Sequence, residues 1–246
     1  MLSIQKGTLN LFREDETISY EVGYCFIGGD ILELLELTYL LSEDERNRYI
    51  GFKYPLRRLS YLLGRLSSKI AIEQLDNDIN PQNISIVNGV FGFPVVKGNS
   101  KNIQVNYSHS DNIGVSLAYY EEYPIGIDIE KIDFDKISII KSYMTEREIQ
   151  MVKDIDLEKE GAFFLWTMKE SLSKIIKTGL TLRLDVLEIQ SIKKLQDNIW
   201  ESSFVNFTQY KIISGFFNDH ICSITIPRKT NFSYDEFTSF FLSYHS

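Results

Sequence analysis

Two stretches of helical spacing, each followed by several short β-rich runs, restrict this chain to few architectures. "TISYEVGYCFIGG" reads as a strand closed by a Gly-Gly turn, and "DILELLELTYLLS" then takes helical spacing with Asp30 placed as its cap. Ser42 and Glu45 in "SEDERNRYIGF" have the spacing of a capping box, and a longer helix is predicted over 56–75. After "DNDINPQN" the period shortens. "ISIV", "FPVV", "IQVNYSHS", "IGVSLAYY" and "IGIDIE" read as strands. A helical block is predicted over 134–177, and strands return in "DVLEIQSI", "IWESSFVNF", "YKIISGFF" and "HICSITI". The order strand, helices, strands, helices, strands predicts an α+β fold. It divides into two similar α+β halves, 1–118 and 119–246, although no repeat is visible in the residues themselves.

Hydrophobic residues make up 43% of the chain and charged residues 24%, so a core of ordinary size is expected and disorder is not. A net charge of −8 opposes generic nucleic-acid binding, which leaves a basic footprint, but it allows a local basic pocket. Cys25 and Cys222 form no CxxC pair and suggest neither a zinc site nor a disulfide framework. The opening "MLSIQKGTLNLFREDE" lacks the apolar core of a signal peptide, and no run is long enough to span a membrane. A cytoplasmic protein with no membrane contact is expected.

Chemistry concentrates in four places. "YPIGIDIEK" sets Asp128 and Glu130 two apart on a β-branched run, so both side chains share one strand face. Two such acids are either the polar side of a strand or ligands of a hard divalent cation, which would remove their repulsion. "FFLWTMKESLSKIIKTGL" places Glu170 and Lys174 one helical turn apart. They form either an ordinary ion pair or a third carboxylate with a phosphate-binding ammonium, and Gly179 is placed to end the helix. "NYSHSDN" carries His109 between two serines, a structural histidine or an anion contact. Between Arg46 and Ile72 lie Arg46, Arg48, Lys53, Arg57, Arg58, Arg65 and Lys69 with no acid after Glu45, a solvated face or a surface for a polyanion. No GxxxxGK[ST] loop is present, which opposes P-loop chemistry.

Taken together, "NYSHSDN", "GIDIEK" and "WTMKESLSK…GL" resemble, in order and spacing, the motifs of the 4′-phosphopantetheinyl transferases of the larger, surfactin-synthetase-activating (Sfp) type. The resemblance covers about residues 40 to 225. It implies a pseudo-dimer of two α+β halves with coenzyme A in the cleft between them. It implies Mg²⁺ on Asp128, Glu130 and Glu170, with Mn²⁺ able to replace it, and Lys174 on the CoA pyrophosphate. Ser108 and His109 would hold CoA phosphates. Lys69 falls where the family usually has a CoA-contacting Arg, with Arg48 and Arg58 as further candidates. Two departures touch ligand contacts: Lys69 itself, and Phe93 in "FGFP" where members often have Lys. The implied reaction moves 4′-phosphopantetheine from CoA to a serine of an apo acyl, peptidyl or aryl carrier protein. Glu170 is the first choice of base and Glu146 the second. The carrier would dock near 134–151 and the enzyme would act as a monomer. The competing reading is a catalytically silent protein that binds CoA or a carrier on the same scaffold.

Overall fold

The computed structural model describes residues 1–14 and 19–242, which form two compact units. The first comprises Met1–Pro124 together with the chain from Asn231, and the second comprises Ile125–Thr230. The boundary therefore falls after Pro124 rather than at 118/119. The strand that ends at Tyr120 pairs that residue with Ile103, so a cut at 118 would sever it.

The first unit opens with β1 (Ser3–Arg13) and β2 (Ser19–Gly28), followed by helices α1 (Ile31–Leu35), α2 (Glu43–Ile50) and α3 (Pro55–Leu75). A small hairpin, β3 (Ser85–Asn88) and β4 (Pro94–Lys97), precedes β5 (Ile103–Ser110) and β6 (Ile113–Tyr120). The second unit contains β7 (Gly126–Lys131), α4 (Ile137–Lys141), α5 (Glu146–Asp154) and α6 (Gly161–Ile175). Four strands follow: β8 (Ile189–Gln196), β9 (Ile199–Phe204), β10 (Tyr210–Phe217) and β11 (His220–Pro227). The chain then returns to the first unit with β12 (Thr230–Phe232) and α7 (Tyr234–Leu242). The sheet orders are β12-β1-β2-β6-β5 and β7-β11-β10-β9-β8. No helix among the described residues is long and apolar enough to cross a membrane.

The caps predicted at Asp30 and Ser42 form, each a capping box with Glu33 or Glu45 as the returning acid, and Thr145 closes a third with Glu148 that the sequence reading did not name. Pro55 opens α3, where its missing N–H costs nothing. Three edges of the fold differ from expectation. The N-terminal segment is a strand, β1; its alternating burial is weak until Leu9, so its period carries little signal. The segment "DVLE" is largely a 3-10 turn, and β8 starts at Ile189. Helix α6 ends at Ile175, Lys177 takes the left-handed backbone (φ 57°), and Gly179 lies beyond it in the next turn.

The two units repeat one plan: a strand, helices ending in one long helix, then a hairpin whose strand returns beside the first. The duplication is written in contacts. In each unit a glycine of the strand before the helices, β2 or β7, lets the long helix press on the sheet. A Cβ on Gly23 would stand 2.1 Å from the Ala71 carbonyl oxygen, and one on Gly126 would stand 2.0 Å from that of Ser171. The capping-box glutamate also reaches the same distance along the chain. Glu45 accepts from the Ile86 N–H and Glu148 from the Ile189 N–H, 41 residues on in both cases. Each glutamate pairs with a lysine of the long helix: Lys69–Glu45 at 2.7 Å and Lys169–Glu148 at 2.8 Å, all four side chains buried. Helix α3 packs on Cys25, Ile27, Ile103 and Val105, and α6 on Ile212 and Ile221.

Candidate active site

Strand β7 is an edge strand of the second sheet. Ile127 and Ile129 face the core with no exposure, so Asp128 and Glu130 take the other face. The close approach at Gly126 brings the last turn of α6 beside this strand. Lys174 Nζ reaches Asp128 Oδ1 at 2.8 Å and also donates to the Ile127 carbonyl at 2.8 Å. The first cation opposite the acid pair is therefore a lysine. Asp128 is 3% exposed, so its charge is held in a low-dielectric setting where an ammonium contact is strong.

Glu170, one turn before Lys174 on α6, is half-buried. Burial and then the nearby charge of Asp128 raise its carboxyl, against the pull of Lys174 and a hydrogen bond from Ser173, to about 7. One lysine does not neutralise two carboxylates that feel each other. The Cys222 thiol lies in the same field. Its burial, then Asp128, raise it well above the ordinary range and keep it a neutral thiol. Glu130 is half-buried on the same face as Asp128, and its charge is felt by Lys136 in the turn after β7. Among the described residues no three His, Cys, Asp or Glu side chains are gathered as a cation cage. The oxygen donors suit Mg²⁺ by type, and the repulsion that lifts Glu170 would be relieved by a second cation.

The other predicted residues fare differently. Lys69 does not face a ligand. It is fully buried, contacts Glu45 and donates to the Pro81 carbonyl at 2.6 Å, because it lies on the core side of α3. Arg65 is also buried, so the exposed part of the basic run is Arg46, Arg48, Lys53 and Arg57. Arg58 is half-buried, with its Nε donating to the Phe52 carbonyl at 2.7 Å and its guanidinium over the Tyr49 ring. Ser108 and His109 are half-buried near the end of β5, opposite Val115 and Gly114. Glu146 stands exposed in the first turn of α5. The Phe93 ring lies over Gly89 within the β3–β4 hairpin, at 2.8 Å from where a Cβ would be. One feature escaped sequence reading: a cavity of about 530 Å³ in the second unit, lined by Tyr143, Met144, Trp166 and Leu182 among others. Trp166 and Glu170 are four apart on α6 and share a face, a spacing visible in the sequence once the helix is known.

Residues 124–225 match the family model described as the 4′-phosphopantetheinyl transferase superfamily, a stretch that nearly coincides with the second unit. A holo-[acyl-carrier-protein] synthase of Onion yellows phytoplasma is 32% identical over 111 residues, which is 40% of this chain and 84% of that protein. The chain belongs to the 4′-phosphopantetheinyl transferase superfamily. Larger members align further along it. The transferase Sfp of Bacillus subtilis is 27% identical over 164 residues, covering 61% of this chain and 71% of Sfp. The transferase gsp of Aneurinibacillus migulanus is 33% identical over 140 residues, covering 56% of this chain and 55% of gsp. Within the superfamily match lie Asp128, Glu130, Glu146, Glu170 and Lys174; Arg48, Arg58, Ser108 and His109 lie outside it.

Proposed function

We propose that this protein transfers 4′-phosphopantetheine from CoA to a serine hydroxyl of an apo carrier protein and releases 3′,5′-ADP. The observation that carries the reading is the grouping of Asp128, Glu170 and Lys174 inside the one stretch that matches the transferase superfamily. The serine oxygen attacks the β-phosphorus, the bond to the bridging oxygen breaks, and the departing electrons settle on the 3′,5′-ADP phosphate.

Asp128, Glu130 and Glu170 are the residues that would hold Mg²⁺, or Mn²⁺ with the same preference for oxygen. When bound, such an ion supplies positive charge to the pyrophosphate. Lys174 is the chain's own cation at the site. Held against Asp128, it is fixed where it can also meet the charge that grows on the leaving phosphate. Glu170 takes the serine proton, as the carboxylate one turn before Lys174 on α6 and beside Asp128. Glu146, exposed and away from these contacts, is the weaker choice.

The carrier docks on the α4–α5 segment. Phe134, Ile139 and Tyr143 are exposed there, a run of apolar side chains suited to a helical partner. A net charge of −8 leaves bulk attraction out of this docking, because the carrier is itself acidic. The protein works as a monomer in the reducing cytoplasm, in keeping with two buried free thiols.

The test follows 3′,5′-ADP release with CoA, Mg²⁺ and apo carrier for the wild type and for Asp128→Ala. Release is expected from the wild type alone. Near-normal release from Asp128→Ala would refute the role of the acid group.

A further inference from the structure

Among the described residues of the first unit two cations are buried, Lys69 and Arg65, and only one of them meets a buried carboxylate; the other buried acid, Asp76, pairs with the exposed Lys101. Lys69 is matched by Glu45. Arg65, one turn earlier on α3, is 2% exposed, and no acid among the described residues forms an ion pair with it. Its Nη1 donates to Tyr107 Oη at 2.9 Å and its Nη2 to Asn88 Oδ1 at 3.0 Å. The guanidinium carbon stands 5.0 Å from the Tyr61 ring centre and 5.5 Å from that of Tyr107. Its Nε finds no acceptor among the described residues. All of these partners are neutral, and a buried charge without a counter-charge is costly.

The duplicated fold supplies an internal control. Lys69 corresponds to Lys169, and Ala71 to Ser171, by the contacts of the two long helices. Arg65 then corresponds to Leu165, which is fully buried. Packing a long helix on this sheet calls for leucine at that point and not for a cation. The arginine answers to something other than packing.

We infer that Arg65 is the buried half of an anion site, and that the other half is a phosphate group of CoA, which takes the place of the Asn88 amide on Nη2. The inference rests on the CoA reading above. Asn88 is exposed and belongs to the two-stranded β3–β4 hairpin, so its amide can turn into solvent without disturbing α3 or β5. The guanidinium offers a phosphate a planar fork, and the two tyrosine rings hold that fork in place. His109 follows Tyr107 by two residues on β5 and shares its face.

Titration calorimetry with CoA and with inorganic phosphate, together with thermal melts, tests the site in the full chain. Arg65→Leu copies Leu165. It should melt at or above the wild type without ligand and bind CoA about ten- to a hundredfold more weakly. Asn88→Ala should bind CoA at least as tightly as the wild type, since the competing amide is gone. Should Arg65→Leu fail to fold, Arg65→Lys keeps the charge but loses the fork and should still bind more weakly. CoA affinity within twofold of wild type in Arg65→Leu, or in Arg65→Lys where that variant replaces it, would overturn the inference. If the wild type binds no CoA at all, the functional reading fails separately. Inorganic phosphate then decides: raising the melting point of the wild type more than that of Arg65→Leu supports an anion site, and raising both equally overturns it.

Discussion

Replacing Lys69 with methionine separates a ligand contact from a structural one. The ammonium lies 2.7 Å from Glu45 and donates to the Pro81 and Ile84 carbonyls. Burial pulls its proton affinity below the ordinary value of 10.5, while Glu45 works against that loss. Methionine keeps most of the length of the side chain, one atom short of lysine, and removes the charge. It leaves Glu45, 3% exposed, as a buried carboxylate without its cation. Removing one partner of such a pair costs about 3–5 kcal/mol. Glu45 keeps two backbone donors, Ser42 N–H at 2.9 Å and Ile86 N–H at 2.8 Å, which places the expected loss near the low end, about 3 kcal/mol. Equilibrium urea unfolding reads this loss. Lys169→Met should lose a similar amount, because Glu148 is held the same way. Adding Glu45→Gln to Lys69→Met should recover part of the loss, since the orphaned charge disappears. CoA affinity of the folded Lys69→Met protein should equal that of the wild type. A variant of wild-type stability that binds CoA more than tenfold more weakly would refute this reasoning and return Lys69 to the ligand site.

Two further outcomes follow from the same geometry. Gly126→Ala and Gly23→Ala would each set a methyl about 2 Å from a helix carbonyl oxygen, so thermal melts should show both destabilised by ~1–3 kcal/mol or more; unchanged melting would mean the long helices are not pressed on the sheets as described. In the metal-free protein, Glu170 titrates near 7, above its ordinary value of 4.5. The folded chain thus keeps a proton that the unfolded chain has released. The resulting stabilisation is complete below about 4.5 and is lost as the pH rises through about 7, by at most ~3 kcal/mol and less after solvent screening of a half-buried group. Melts across this range should slope downward for the wild type and lie flatter for Glu170→Gln; parallel curves would contradict the raised value.

The alternation of period was enough to predict most strands and the long helix α3, and the caps at Asp30 and Ser42 left local marks, although α3 and α6 themselves start without a side-chain cap. The N-terminal strand β1 and the C-terminal helix α7 left weaker ones. Their places come from distant contacts, such as Asn10 with Glu236 and the Phe240 ring against Tyr24 and Phe26. The acid group was legible through Asp128, Glu170 and Lys174, but sequence spacing offered only Glu170, its helical neighbour, or a bound phosphate as the partner of Lys174. The structure pairs it with Asp128, 46 residues away, because Gly126 lets the helix close on the strand. Lys69 misled for a related reason. Counting charges along α3 cannot tell its core side from its solvent side, and a buried lysine looks basic in a sequence whether or not a glutamate waits for it. The equivalence of Glu45–Lys69 and Glu148–Lys169 is likewise invisible until the two units are compared contact by contact.

The measurement that bears most directly on the proposed activity is the intact mass of an apo carrier protein after incubation with this protein, CoA and Mg²⁺. The carrier should gain the mass of one phosphopantetheine at a serine, and should gain nothing when CoA is withheld or Asp128 is alanine. Apo acyl, peptidyl and aryl carriers that all stay unmodified, beside a folded protein that binds CoA, would contradict the transfer reaction and leave a CoA-binding protein without it.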